Sequence, residues 1–179
     1  MSTRSLICVE QDDGTYKGVY CHSDGYLTYN GAMLLDHYNS KQKAEEIIAL
    51  GDLSLLCEKL YPDPDRPHSF NYDERQEDVT VAYGRDRGEK NTEARAISLK
   101  GAKESWCEYM YVFDKDGKWR YFDLCEDNPE LRDVETDLAL EFERMGISRP
   151  VGEYGFFPQS RIDELKKEQA QMQKTVPEM

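Results

Sequence analysis

The sequence lacks long hydrophobic runs and the cysteine spacing typical of metal sites. No segment is apolar enough to cross a bilayer and the N-terminus has no apolar leader, so we expect neither a membrane anchor nor a signal peptide. The five cysteines form no C-x-x-C pair, which disfavours both a disulfide framework and structural zinc. These absences predict a cytoplasmic chain with reduced thiols and with no metal or cofactor.

Positive charge is scarce. Lys and Arg total 23 against 36 Asp and Glu, a net charge of −13. The electrostatic field of such a chain repels free nucleic acid and anionic membranes and attracts basic surfaces. An excess of acidic residues is also explained by solubility alone. We therefore expect any macromolecular partner to be a basic protein and expect no direct binding of free nucleic acid.

Two hairpins are predicted from turn signals between β-rich runs. The runs "RSLICVE" and "TYKGVYC" flank "QDDG", and "WCEYMYVF" and "KWRYFDLC" flank "DKDG". Asp-Gly between such runs strongly favours a hairpin. The run "VTVAYG" at 79–84 predicts one further strand, while three prolines make 61–78 an exposed connection.

Helices are predicted from caps and periodicity. Asn30 is positioned to cap "GAMLLDHY", Ser40 begins "KQKAEEIIAL" and Gly51 ends it, and "DLSLLCEKL" reads as a further helical piece. A thin apolar stripe at 160–173 predicts a C-terminal helix.

A longer helix is predicted at 130–145. Its apolar side chains recur at spacings of three and four, which is typical of one buried helical face: Leu131, Val134, Leu138, Phe142 and Met145. The fold class that follows is α+β, an antiparallel sheet built from two hairpins plus a further strand, covered by helices. We expect a single domain over 1–157, with a C-terminal helix and frayed tail over 158–179.

The stretch "YCHSDGYLTYNG" at 20–31 concentrates polar chemistry in twelve positions. Adjacent Cys21 and His22 on a strand point to opposite faces, which disfavours both a shared metal ion and a Cys-His nucleophile. Asp24, with Gly25 at positive φ, suits a tight turn. His22, with the tyrosines Tyr26 and Tyr29 among others, supplies the candidate contact groups, and no catalytic residue is predicted.

The stretch "YGRDRGE" at 83–89 places two arginines one residue apart after a strand. Arg85 and Arg87 could form a fork for a phosphate or carboxylate. The alternative, which we favour, is that they pair with Asp86, Glu89 or other carboxylates and order the loop.

Residues 126–145 carry eight acidic residues against two arginines. Asp133, Asp137 and Glu141 recur every fourth residue, so on a helix they lie on one side at intervals of about 6 Å. With Glu130, this row resembles a phosphate track and is a candidate DNA mimic. It is equally typical of the solvated face of an amphipathic helix.

Several blocks in the first half of the chain resemble those of small phage and prophage accessory proteins. The blocks are "STRSLICVE", "YCHSDGYLTYNGAMLLDHY", "LGDLSLL" and "VAYGRDRGE", ending at Glu89. Ser23 stands where many relatives have tryptophan. The resemblance implies a mobile-element protein and extends to anti-CRISPR inhibitors of type II RNA-guided nucleases, without implying an active site.

Three functional hypotheses follow. The first is a non-enzymatic inhibitor in the bacterial host cytoplasm that binds a basic defence protein, first of all a CRISPR nuclease with its guide RNA, and blocks DNA binding or cleavage. The second is a nucleotide- or small-molecule-binding protein, with or without catalysis, using His22, Tyr26, Arg85 and Arg87 together with Asp24 and Tyr83. The third is a prophage accessory protein without a ligand.

Overall fold

The computed structural model describes residues 2–144 and 146, together with four separate positions near the C-terminus. These four positions, Lys167, Ala170, Gln171 and Lys174, are helical. The other positions of the predicted 160–173 helix, the predicted boundary at 157 and Met145 lie outside the described residues.

The centre of the described chain is an eight-stranded sheet. Its strands are β1 Ser5–Glu10, β2 Tyr16–Cys21, β3 Leu53–Leu55, β4 Val81–Ala82, β5 Arg95–Ile97, β6 Tyr109–Phe113, β7 Trp119–Asp123 and β8 Arg132–Asp133. They lie in the order β4-β3-β2-β1-β6-β7-β8, while β5 pairs with the opposite end of β2 from β3. The two predicted hairpins, β1-β2 and β6-β7, and the α+β class are confirmed.

The hairpins join through a parallel pair at the centre of the sheet. Ser5 lies opposite Tyr109, and the register runs to Val9 opposite Phe113. A second parallel contact places Cys21 opposite Leu53. The sheet is therefore mostly antiparallel but mixed, because two of its strand pairs run in the same direction.

Five helices accompany the sheet within residues 2–144. They are α1 Ala32–His37, α2 Lys41–Ala49, α3 Tyr83–Arg87, α4 Leu99–Glu104 and α5 Val134–Arg144. A π-helical turn at Leu27–Gly31 leads into α1, and a 3-10 turn lies at Tyr72–Glu74. The predicted start of α2 is confirmed, since the Ser40 side chain accepts a hydrogen bond from the Lys43 amide at 3.2 Å.

Side chains alternate between the two faces of the sheet, and helices cover both. Ile7 and Val9 of β1 face a core that includes residues of α1 and α2. Leu6 and Cys8 face a second core that includes Ala102 of α4. α5 packs on α1 and the π turn through Leu138, Ala139 and Phe142. The described chain thus forms three layers, with the sheet between helices on either face. Successive side chains of a strand point to opposite faces, so a strand such as β1 can be apolar on both.

The prediction that "DLSLLCEKL" is helical is wrong. Leu53 is fully buried between Cys21 of β2 and Ala82 of β4, so this segment forms β3. A short apolar run fits a buried strand and a buried helix equally well, and sheet pairing decides here.

The 130–145 helix begins later than predicted. Arg132 and Asp133 pair with β7, α5 starts at Val134, and Leu131 lies outside the helix with 43% of its surface exposed. Asp133 caps the helix, because its Oδ1 accepts the Thr136 amide at 3.0 Å. None of the helices that the structure describes is both long and apolar enough to span a bilayer.

Candidate functional site

Residues 20–31 form a turn that is fixed to neighbouring strands by backbone hydrogen bonds. The amides of His22 and Ser23 donate to Leu53 and Ser54 at 3.0 Å each. The Gly25 amide donates to the Thr3 carbonyl at 2.8 Å, and its own carbonyl accepts the Tyr111 hydroxyl at 2.7 Å. Most of this stretch is architectural, as the turn interpretation predicted.

Two details of that turn correct the sequence prediction. Asp24, rather than Gly25, takes the left-handed conformation, with φ of 53°. Glycine is required at 25 for space, because a Cβ there would lie 2.8 Å from the Cβ of Ser5. Asn30 does not cap α1: it is fully buried, and its Nδ2 donates to Ser5 Oγ at 3.1 Å and to Cys21 Sγ at 3.5 Å.

Cys21 and His22 lie on opposite sides of the sheet, as their adjacency on a strand predicted. Cys21 is buried in the core beneath α1 and α2, and burial raises the pKa of its thiol to about 11. The Nδ1 of His22 lies 2.7 Å from the hydroxyl of Tyr20, a residue that packs against the opposite core. This geometry forms no Cys-His nucleophile.

Arg85 is occupied by internal contacts. Its guanidinium donates to the Leu60 carbonyl, to the Thr80 carbonyl at 2.7 Å and to both oxygens of Asp86, at 2.8 and 3.0 Å. These acceptors use the fork that an external anion would need. The predicted pairing with nearby carboxylates is confirmed for Arg85 with Asp86 and for Arg87 with Glu89.

Arg87 and Tyr83 share contacts with Phe70. The Arg87 guanidinium lies 4.8 Å from the Phe70 ring centroid and 3.5 Å from a carboxylate oxygen of Glu89. The Tyr83 ring lies 5.5 Å from the same Phe70 ring. An open depression of about 410 Å³ lies beside Arg87, lined also by Ser69, Asn71 and Asp86. Among the described contacts, none joins His22 or Tyr26 to Arg85 or Arg87.

A buried charged group ties the 61–78 loop to α3. The Asp86 side chain is 3% exposed, accepts the Ala82 amide at 2.8 Å and lies 3.4 Å from Nε2 of His68. Burial raises the pKa of Asp86, but hydrogen bonds from Arg85 and Ala82 and the charge of Arg85 together hold it below its ordinary value. His68 Nδ1 in turn accepts the Gln76 amide at 3.1 Å. The Asp86 carboxylate is therefore held mainly by internal partners.

The three repeating acids at α5 each have an internal partner. Asp133 caps the helix, Asp137 accepts the Tyr121 hydroxyl at 2.8 Å, and Glu141 pairs with Arg144. Glu130 is exposed and precedes the helix. The prediction that all three acids lie on one side of a helix is wrong for Asp133, because it lies in β8 and only Asp137 and Glu141 belong to α5. All three are partly buried.

The π turn connects α5 to the two candidate tyrosines. Leu27 of this turn packs against the α5 residues, and Tyr29 lines a depression of about 280 Å³. The other residues lining it are Met33, Cys57, Glu58, Glu77 and Asp78. Within the described residues, Glu58 and Glu77 form no salt bridge. We call this depression, with its three carboxylates, the acidic depression.

Tyr29 lines the acidic depression, and Tyr26 adjoins it through Tyr29. Tyr26 is 39% exposed and packs edge-on against Tyr29, with ring centroids 6.2 Å apart. The Tyr29 hydroxyl donates to the Leu56 carbonyl at 3.1 Å, and burial raises its pKa. Cys57 is also largely shielded, which raises the pKa of its thiol to about 11. The acidic depression therefore presents carboxylates and one aromatic ring, that of Tyr29, but no reactive nucleophile.

Sequence reasoning missed the acidic depression and the most exposed aromatic residues. Glu58, Glu77 and Asp78 are separated along the chain and meet only because Lys59 pairs with Val79. Tyr72 and Trp106 are each 84% exposed. The sequence predicts a strand that begins at Trp106, which is wrong, because β6 begins at Tyr109. No period or motif in the sequence marks any of these positions.

No family model, curated protein or solved structure matches the chain. Within the described residues, no group of three or more His, Cys, Asp or Glu side chains is arranged to hold a metal ion.

Proposed function

We propose that the protein is a phage or prophage anti-defence inhibitor that binds a basic, nucleic-acid-handling host protein in the bacterial cytoplasm. The first candidate partner is the type II CRISPR nuclease with its guide RNA. One observation carries the proposal: the π turn contributes both to the acidic depression and to the contact with acidic α5. Exposed tyrosine and carboxylates on adjoining elements are suited to basic side chains.

The physical basis is charge complementarity combined with aromatic contact. RNA-guided nucleases hold nucleic acid in positively charged channels, and a chain of net charge −13 is attracted to such surfaces. A partner lysine or arginine entering the acidic depression would meet Glu58 and Glu77 and pack against the Tyr29 ring. Occupying such a surface blocks the DNA that would otherwise bind there.

Binding rather than catalysis is the activity that these contacts support. The thiols of Cys21 and Cys57 have raised pKa values, and Arg85 is held by protein carbonyls and Asp86. Carboxylates and aromatic rings in a shallow depression supply affinity for cations without an activated nucleophile.

The first test neutralises the acidic depression. The double variant E58Q/E77Q is compared with D12N/D116N, which removes the same charge from exposed residues at the hairpin turns. We expect E58Q/E77Q to weaken binding to the guide-loaded nuclease at least tenfold and the control to change it less than threefold. If both double variants weaken binding equally, Glu58 and Glu77 act only through the net charge of the protein and not through a specific contact.

The second test examines the three acids at the start and along the side of α5, Asp133, Asp137 and Glu141. The triple variant D133N/D137N/E141Q keeps oxygen acceptors for the helix cap and for Tyr121, so the fold should persist. If the carboxylates contact desolvated cations, losing all three should reduce binding by several kcal/mol, since each such truncation costs roughly 2 to 5 kcal/mol. Binding should also weaken as salt rises. Salt-independent affinity, or an unchanged Kd for both acidic variants, contradicts the proposal.

A further inference from the structure

Trp106 has a backbone conformation that its side chain disfavours. Its φ is 65°, and the other non-glycine residues at positive φ are two aspartates and an asparagine: Asp24, Asp78 and Asn91. Asp and Asn adopt the left-handed region several times more readily than other residues, whereas a bulky residue there is an outlier. The described chain thus places a tryptophan where asparagine or glycine would fit with less strain.

Burial does not compensate for this strain. Trp106 is 84% exposed, whereas Trp119, the other tryptophan of the chain, is 2% exposed. An exposed indole gains little from the hydrophobic effect in the isolated protein. Folding alone therefore gives no reason for tryptophan at this position, and strained residues are often retained for function.

The turn that carries Trp106 is held on both sides. The Ser105 hydroxyl donates to the Ala102 carbonyl at 2.5 Å, and Cys107 is buried in the core beneath α4. The Glu108 amide donates to the Arg4 carbonyl at 2.9 Å. The indole consequently projects from a fixed backbone, which lowers the conformational entropy lost on binding.

Carboxylates adjoin this turn. Glu104 and Glu108 lie two residues to either side of Trp106. Lys103 bridges to the segment carrying two further acids, by donating to the carbonyls of Glu126 and Asp127 at 2.7 and 2.8 Å. An exposed indole beside carboxylates is complementary to an apolar surface edged by Lys or Arg, because the indole face also attracts cations.

We propose that Trp106 is a second anchor for the basic partner, on the α4 side of the sheet and away from the acidic depression. This inference rests on the proposed function and specifies one of its contacts. Exposed tryptophans that become buried at an interface are among its strongest contributors. The anchor would contact the partner through its indole face while Glu104 and Glu108 meet neighbouring cations.

The test uses the full chain and the type II nuclease loaded with guide RNA. The W106N variant relieves the backbone strain, so its melting temperature should equal or exceed that of the parent protein. Its affinity for the nuclease should fall at least tenfold. Tyr72→Asn is the matched control, because Tyr72 is equally exposed and has no positive φ; its affinity should change less than threefold.

Fluorescence quenching gives an independent readout. Acrylamide should quench the fluorescence of Trp106 in the free protein and spare that of Trp119. The binding measurement uses a nuclease without tryptophan, so that the signal comes from these two residues alone. Nuclease binding should protect Trp106 from the quencher. Binding that leaves W106N at parental affinity and Trp106 still quenchable overturns the anchor but keeps the proposed function. No binding by the parent protein overturns both.

Discussion

The sheet and the 61–78 loop are stabilised in different ways. The sheet buries apolar side chains on both faces, with Ile7, Tyr111 and Trp119 almost wholly inaccessible. In the loop, Gln76 is the one buried residue, and order comes from its hydrogen bonds and from the His68-Asp86 contact. One region depends mainly on area removed from water and the other on a few specific polar contacts.

This difference has a consequence for local stability. Hydrophobic burial is non-directional and is shared among many residues, so the sheet should open only with the whole domain. The loop depends on contacts that fail together when one partner is lost. We therefore expect the loop to open at a lower free energy than the sheet.

The largest expected effect is in the sheet. Trp119→Ala removes a ring that packs edge-on against Phe113, with centroids 5.2 Å apart, and an indole N–H that donates to Tyr38 at 2.9 Å. We expect the free energy of unfolding to fall by about 3 to 5 kcal/mol, measured by urea denaturation with circular dichroism. If the free energy of unfolding falls by less than about 1 kcal/mol, the sheet does not depend on buried area more strongly than the loop does.

Asp86→Asn should have a smaller effect, centred on the loop. It removes the charge that pairs with Arg85 and lies beside His68, but keeps an oxygen for the Ala82 amide. We expect the free energy of unfolding to fall by about 2 kcal/mol, as for other hydrogen bonds between charged groups. Hydrogen exchange should accelerate at 61–78 and around α3 more than in β1 and β6. Uniform acceleration would contradict the comparison.

The lowered pKa of Asp86 also predicts that the stability of the protein falls in acid. Because its folded pKa lies below the ordinary value of 3.8, its ionised form stabilises the protein above that value, and the contribution is lost as pH falls through the lower folded pKa. Unfolding measured between pH 6 and pH 2 should show a smaller decline for Asp86→Asn than for the parent. Parallel declines would assign the acid response to other carboxylates.

Gln76→Ala should affect the loop with less change in global stability. The Gln76 amide group accepts from the Asp63 N–H at 2.8 Å and donates to the Asp63 and Arg66 carbonyls at 2.9 and 3.0 Å. We expect a loss of about 1 kcal/mol and faster proteolysis within 61–75. Gln42→Ala, at an exposed position of α2, is the control and should leave proteolysis unchanged.

Thiol reactivity gives the smallest but most selective signal. Cys125 is exposed, Cys57 lies beside the acidic depression, and Cys8 and Cys21 are buried in the sheet. With a disulfide reagent at pH 8, Cys125 should react first, Cys57 more slowly, and Cys8 and Cys21 only with global unfolding, as read by peptide mass spectrometry. Simultaneous reaction of Cys57 and Cys21 would remove the distinction between the two regions.

The sequence predicted the parts of the fold that depend on local signals. Asp-Gly turns located both hairpins, Ser40 located the start of α2, and Val134, Leu138 and Phe142 indicated the buried face of α5. The pairing of β1 with β6 was not predicted, because it joins residues about 100 positions apart. The same is true of β3, whose apolar run has no period that separates strand from helix.

The candidate site was less predictable than the fold. Adjacency on a strand was enough to separate Cys21 from His22, and the pairing of Arg85 with Asp86 follows from nearness in sequence. The acidic depression depends on the pairing of Lys59 with Val79, and the conformation of Trp106 on the turn between α4 and β6. Neither leaves a local signature.

The central parallel pair has a consequence for synthesis of the protein. The β1-β2 hairpin leaves the ribosome before β6, but β1 pairs on its other side with Tyr109–Phe113, about 100 residues later. At about 5 to 20 residues per second, this edge stays unpaired for roughly 5 to 20 seconds on every nascent chain. During that interval Leu6, Ile7 and Val9 present an apolar strand edge to other chains. The yield of native protein should therefore depend on how many other nascent chains of the same protein are nearby. It should also depend on whether a chaperone covers the β1 edge until β6 has been synthesised.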